Sequence, residues 1–136
     1  CIFSNNSTLA GHITIGDYVV LAGMTAVHQF VSVGNHAFVT GGSLVRKDVP
    51  PFVKAAREPL SYVGINSVGL RRRGFDVKKV HEIQNIYRIL FQKKYNNTQA
   101  MEIIQGELNA TRERDEIIQF IENSQRGIMK GYFQRN

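Results

Sequence analysis

The sequence predicts a β-solenoid followed by a small α-helical domain, and three observations lead there. An aliphatic or aromatic residue recurs at every sixth position: Phe3, Leu9, Ile15, Leu21, Val27, Val33, Val39 and Val45. Four residues after each stands a second, mostly small or β-branched one: Ser7, Ile13, Val19, Thr25, Val31, Ala37, Ser43 and Val49. From Val77 onward the spacing changes to threes and fours, the period of an amphipathic helix. A period of six fits neither a helix nor plain β alternation. It is a signature of a parallel β-helix, whose short strands stack around an aliphatic core.

Residues 1–52 form the solenoid. Glycine or alanine often follows the first hexad position (Ala10, Gly16, Ala22, Gly34), as expected where the backbone bends tightly. The segment DVPPF, residues 48–52, is expected to end the solenoid, because two prolines cannot donate to a continuing ladder. Residues 53–75 read as an irregular connector holding Asn66, Gly69 and the run Arg71, Arg72, Arg73.

Residues 76–136 read as the helical domain. Asp76 is a suitable N-cap. Behind it Val77, Val80, Ile83, Tyr87, Leu90 and Phe91 share one face, predicting a helix over about residues 77–94. Asn96 and Asn97 break it, and Thr98 caps a second helix carrying Met101, Ile104 and Leu108. A third, over about residues 114–124, carries Ile117, Ile118 and Ile121. Gly127 and Gly131 interrupt the tail, which is expected to be mobile beyond about residue 130.

The hexad register is already running at Phe3 and no polar cap precedes it. A solenoid needs such a cap, so the chain is expected to be the C-terminal portion of a longer protein. The single Cys1 argues against a disulfide framework and fits a reducing compartment. No apolar run approaches the length of a spanning helix. Of a formal net charge of +6, none of the basic part lies in the solenoid core. Residues 1–45 hold no Lys or Arg, and Asp17 is their one acid. A positive C-terminal part suggests an anionic partner. Three arginines without interleaved aromatics are a thin footprint for nucleic acid; phosphate on a small ligand fits them at least as well.

His12, His28 and His36 lie in the solenoid. With three hexads to a coil, as in the hexapeptide-repeat β-helices that this pattern resembles, the hexads of His12 and His28 fall on one face of successive coils, about 4.8 Å apart. Neither histidine is at an inward position, so both can reach one outer groove, beside Gly11 and Gln29. The plain alternative is that they are ordinary surface residues. A zinc-type site would want three protein ligands and an open position, and no carboxylate neighbours these histidines to orient them; no metal is expected.

Several stretches carry a closer resemblance. The hexads resemble the left-handed parallel β-helix of hexapeptide-repeat acyltransferases. Within that group SNNSTLAGH (residues 4–12), GMTAVHQF (23–30), DVPPF (48–52) and GINSVGLRRRGF (64–75) resemble the acyl-carrier-protein–UDP-N-acetylglucosamine O-acyltransferase family. The resemblance implies transfer of a 3-hydroxyacyl chain from acyl carrier protein to the 3-hydroxyl of UDP-N-acetylglucosamine. This is the first step of lipid A biosynthesis. It further implies a cytoplasmic homotrimer that uses no metal or dissociable cofactor.

By the same resemblance the catalytic base lies just upstream of Cys1, so this piece alone is expected to be inactive. Gly11 supplies a backbone N–H to the oxyanion, and His12 positions the reacting groups. His28 and Gln29 line the same cleft. Asn66, Arg72 and Arg73 hold the nucleotide end. Gly41 falls at the acyl-length ruler and implies a long acyl chain, since Thr40, Gly41 and Gly42 leave little side-chain volume there. Acyl carrier proteins are acidic, so Lys78, Lys79, Arg88, Lys93 and Lys94 are candidates to steer one in. Two alternatives remain: the later N-acyltransferase of the pathway, and a non-catalytic trimeric scaffold.

Overall fold

The computed structural model describes residues 2, 3, 8, 9, 13–57, 60–91, 95–124 and 127–131. Eight two-residue strands recur through the first part: β1 (Ile2–Phe3), β2 (Thr8–Leu9), β3 (Thr14–Ile15), β4 (Val20–Leu21), β5 (Ala26–Val27), β6 (Ser32–Val33), β7 (Phe38–Val39) and β8 (Leu44–Val45). They pair in parallel with a register of 18 residues, such as Val20 with Phe38, Ala26 with Leu44, and Thr14 with Ser32. Three sheets result: β1-β4-β7, β2-β5-β8 and β3-β6, the first extended by later strands. Both hexad positions point inward. Leu21, Val27, Val33, Val39 and Val45 are buried, and so are Val19, Thr25, Val31, Ala37, Ser43 and Val49.

The tight bends are not where the small residues suggested. From Tyr18 to Gly42 the left-handed residues are Tyr18, Met24, Phe30, His36 and Gly42, again every sixth position, with φ between 59° and 74°, and Phe52 and Arg57 follow at 70° and 77°. Gly34 is instead small because the next segment runs against it. A Cβ there would lie 2.5 Å from the Pro51 nitrogen.

The stack also does not stop at DVPPF. Val49 still donates to the Ser32 carbonyl at 2.9 Å and accepts from Gly34 at 2.7 Å. Strand β9 (Val53–Ala56) then pairs in parallel with β7, Phe38 against Lys54 and Val39 against Ala55. The prolines sit in the turn, where no ladder N–H is required, and the register shortens from 18 to 16 residues.

The connector is likewise regular. Strand β10 (Ser61–Ile65) returns antiparallel to β9 with a bulge before Gly64, and a short helix α1 (Ser67–Arg72) follows. Helix α2 spans Val77–Leu90 under an Asp76 cap, ending sooner than residue 94. Helix α3 (Asn97–Glu107) is capped by Asn96 rather than Thr98, in a capping box with Gln99. Helix α4 (Arg112–Glu122) begins at a Thr111 cap. Strand β11 (Lys130–Gly131) pairs parallel to β10; residues 132–136, expected to be mobile, lie outside the described residues.

Asp48 joins the two ends of the structure. Its buried carboxyl accepts the Ser32 N–H at 2.8 Å and the Ser124 hydroxyl, while its backbone pairs with Gly127 and Met129 at 3.0 Å each. Asp48→Ala leaves a buried N–H unpaired and is expected to cost about 2 kcal/mol of stability. Urea midpoints would read this. A shift worth under about 0.5 kcal/mol, the scale of an ordinary surface change, would mean that Ser32 and Ser124 find other partners.

Candidate functional site

Asn66 starts the site. As N-cap of α1 it is buried, and its Oδ1 accepts the Gly69 N–H at 3.3 Å. Its Nδ2 donates to the His36 carbonyl at 3.0 Å, and its backbone N–H donates to the Phe52 carbonyl at 2.8 Å. One residue thus bonds α1 to two segments of the stack. Gly69 permits this, because a Cβ there would lie 2.6 Å from Asn66 Nδ2 and 3.0 Å from Arg73 Nη1.

Leu70 is the buried anchor of α1. Arg71 and Arg72 stay exposed, whereas Arg73 is half-buried. Arg73 Nη1 donates to His36 Nδ1 at 3.2 Å, and the guanidinium carbon sits 5.4 Å from the Tyr18 ring centroid. Tyr18 and His36 are 18 residues apart and stack at 5.0 Å. Phe52 continues the stack at 5.6 Å, and Phe75 meets His36 edge-on at 5.2 Å.

Two clefts flank Arg73. One, of about 370 Å³, is lined by Asn66, Arg72, Arg73 and Lys54, with Val20 and Phe38 as apolar wall. Its described lining contains three cations and no acid, and the Lys54 ammonium lies 5.9 Å from the Phe38 centroid. The other, of about 560 Å³, holds Tyr18, His36 and Arg73 on one side and Arg112, Glu113 and Glu116 of α4 on the other. Burial, then the Arg73 charge, holds the His36 imidazole below its usual range, with Asp17 pulling it back. Burial raises the Glu116 carboxyl, against the hydrogen bond from Asn35 and the charge of Arg112.

Asn66, Arg72 and Arg73, expected at the nucleotide end, therefore come together. Within this chain His28, Gln29 and Gly41 do not line that cleft. His28 and Gln29 are exposed just after β5, on a different sheet. Gly41 is exposed, and a Cβ on it would come 2.9 Å from the Gly23 carbonyl, which already accepts from Gly42. The stack itself therefore needs a glycine at that position. Gly11 and His12 lie outside the described residues, as do Lys93 and Lys94.

Lys79 is engaged by Glu82 and Glu113, each at 2.9 Å, and those bonds push its pKa up to about 12. Lys78 and Arg88 are exposed on α2. Among the described residues no group of three or more His, Cys, Asp or Glu is gathered to hold a metal, and no helix is long and apolar enough to cross a membrane. Sequence reasoning missed Lys54, Tyr18 and Phe52. The 18-residue register alone would have put Tyr18 beside His36.

Residues 48–129 match the family model described as UDP N-acetylglucosamine O-acyltransferase, domain 2. A curated relative from Myxococcus xanthus, named acyl-[acyl-carrier-protein]–UDP-N-acetylglucosamine O-acyltransferase, is 42% identical over 118 residues, or 87% of this chain and 46% of that protein. One of the same name from Stenotrophomonas maltophilia is 39% identical over 131 residues, or 96% of this chain and 50% of the relative. Among solved structures, the UDP-N-acetylglucosamine acyltransferase of Bacteroides fragilis superposes with a TM-score of 0.93 at 41% identity, covering 96% of this chain and 51% of its own. The Arabidopsis enzyme gives 0.86 at 35% identity, covering 95% of this chain and 48% of its own. The chain thus spans about half the length of the relatives it matches, and it belongs to the UDP N-acetylglucosamine O-acyltransferase domain 2 family.

Proposed function

We propose that the chain is the nucleotide-binding part of an enzyme that moves a 3-hydroxyacyl group from acyl carrier protein to the 3-hydroxyl of UDP-N-acetylglucosamine, opening lipid A synthesis. The observation that carries this reading is the cleft lined by Asn66, Arg72, Arg73 and Lys54, with three cations and no acid among its described lining residues. A sugar nucleotide brings two phosphates with matching negative charge, and guanidinium forks suit phosphate oxygens. The names of the relatives point to the same substrates.

The 18-residue parallel register supports a β-helix, left-handed by the family resemblance, that runs through β9 (Val53–Ala56), followed by the β10–α1 connector and the helical domain. The active assembly is a cytoplasmic homotrimer, in which a neighbouring protomer closes the groove that holds His28 and Gln29. The basic surface of α2, Lys78 and Arg88 foremost, steers the acidic carrier protein.

In the transfer, the sugar hydroxyl oxygen bonds to the acyl carbonyl carbon and the thioester bond breaks. A base upstream of Cys1 takes the hydroxyl proton, and the departing thiolate of the carrier's pantetheine arm gains one. The family resemblance assigns the Gly11 backbone N–H to the developing oxyanion, His12 to positioning the reacting groups, and Gly41 to the room for a long acyl chain. No step calls for a metal or a further cofactor.

Acyl transfer by the full-length parent tests the reading directly. Arg72→Ala is expected to raise the KM for the sugar nucleotide roughly tenfold, the scale of one hydrogen bond to a charged group, with kcat little changed. An unchanged KM would remove Arg72 from the nucleotide. A parent that transfers no acyl group from carrier protein would instead favour the pathway's N-acyltransferase or a binding scaffold.

A further inference from the structure

Two of the residues assigned above to the nucleotide are held by the same upstream residue. The His36 carbonyl accepts Asn66 Nδ2 at 3.0 Å, and its ring Nδ1 accepts Arg73 Nη1 at 3.2 Å. These bonds link one corner of the stack to both ends of α1, 30 and 37 residues downstream. The imidazole is itself fixed, packed between Tyr18 and Phe52 with Phe75 at its edge. We propose that His36 is the positioning residue of the nucleotide cleft, holding α1 so that Asn66, Arg72 and Arg73 face one ligand, and releasing Arg73 when the imidazole is protonated. The proposal rests on the nucleotide reading of that cleft and names the residue that sets its geometry.

The chemistry is that of an acceptor that can be switched off. A neutral imidazole with its proton on Nε2 offers a lone pair at Nδ1 to the guanidinium. Protonation makes both ring nitrogens donors and leaves two cations in contact, so the bond to Arg73 is lost. A guanidinium has five N–H donors; only one is committed to His36, and the remainder can reach phosphate or uridine oxygens. Around the ring, Asp17 and Tyr18 face it from the stack, Arg73 from the end of α1, and Arg112, Glu113 and Glu116 across the cleft from α4. Glu113 is bonded to Lys79. Glu116 also titrates on the acid side, and losing its charge would loosen Arg73 in the same direction, so the two groups must be separated by mutation.

His36→Phe is the informative variant. Phe30 and Phe52 already occupy left-handed turn positions at φ 67° and 70°, so the ring is accommodated and only the Nδ1 acceptor is removed. Burial and the Arg73 charge hold the imidazole below its ordinary range, so in the full-length parent the KM for UDP-N-acetylglucosamine is expected to stay flat from about pH 8 down to the ordinary imidazole value of about 6.5 and to rise roughly tenfold only on further acidification, at near-constant kcat. His36→Phe should show the raised KM at every pH, with a flat profile, and Glu116→Gln should keep the profile of the parent. Hydrogen-exchange protection of the residue 67–75 amides, corrected for intrinsic rates, should fall on acidification in the parent and be low throughout in His36→Phe.

Unchanged protection in His36→Phe, or a variant KM that still rises with acid, would overturn the proposal. A Glu116→Gln profile gone flat would transfer the effect to Glu116 and overturn it too. If the parent transfers no acyl group, the functional reading fails by itself, and the exchange experiment still decides whether His36 holds α1.

Discussion

Tyr87→Ala is expected to cost about 3–5 kcal/mol, the range for truncating a large buried aromatic. Tyr87 is fully buried on α2 and joins the helical part to the end of the stack. Its ring stacks with Tyr62 of β10 at 5.5 Å and lies 5.9 Å from Phe91. Its hydroxyl donates to the Pro51 carbonyl, and burial raises its pKa well above the usual phenol value. Two effects are mixed in that cost: an emptied aromatic volume and an unpaired buried carbonyl. Tyr87→Phe separates them, since it keeps the ring and removes only the donor, and should cost about 1–3 kcal/mol. Urea unfolding of the three proteins measures both. The next residue, Phe52, gives its carbonyl to the Asn66 N–H, so the alanine variant should also weaken sugar-nucleotide binding. A loss below about 1 kcal/mol for Tyr87→Ala would show that the helices pack on the stack mainly through other residues.

How much was legible follows from which residues carried a period. The hexads announced the buried faces because two side chains in six had to fill the same interior, and Leu21 through Val49 do so. The turn geometry was not legible. Left-handed backbone usually calls for glycine, yet here Tyr18, Met24, Phe30 and His36 adopt it, and of these Tyr18 and His36 stack on each other. Strand β9 was hidden by the two prolines before it, although Val53 and Ala55 point in and Lys54 points out, which is ordinary β alternation. In the site, GINSVGLRRRGF marked Asn66, Arg72 and Arg73 as a group because they are close in sequence. Lys54 and His36 join them only through register and tertiary packing, which a linear spacing does not display.

His12→Ala in the full-length parent is expected to lower kcat/KM by about 2–4 kcal/mol, the scale of one catalytic donor removed from an acyl-transfer site. The sequence places His12 three residues after Leu9 and His28 one residue after Val27, and Leu9 and Val27 are partners in neighbouring parallel strands. The Gly11 N–H cannot be deleted by changing a side chain, so His12 is the member of this pair that a substitution can reach. The split between kinetic constants carries the test. Loss of a group that acts on the transition state lowers kcat and leaves the sugar-nucleotide KM nearly unchanged. Arg72→Ala and His36→Phe are expected to do the reverse. Opposite splits would separate a reacting end at His12 from a nucleotide end at Asn66, Arg72 and Arg73. Full kcat in His12→Ala would remove that histidine from the reacting end.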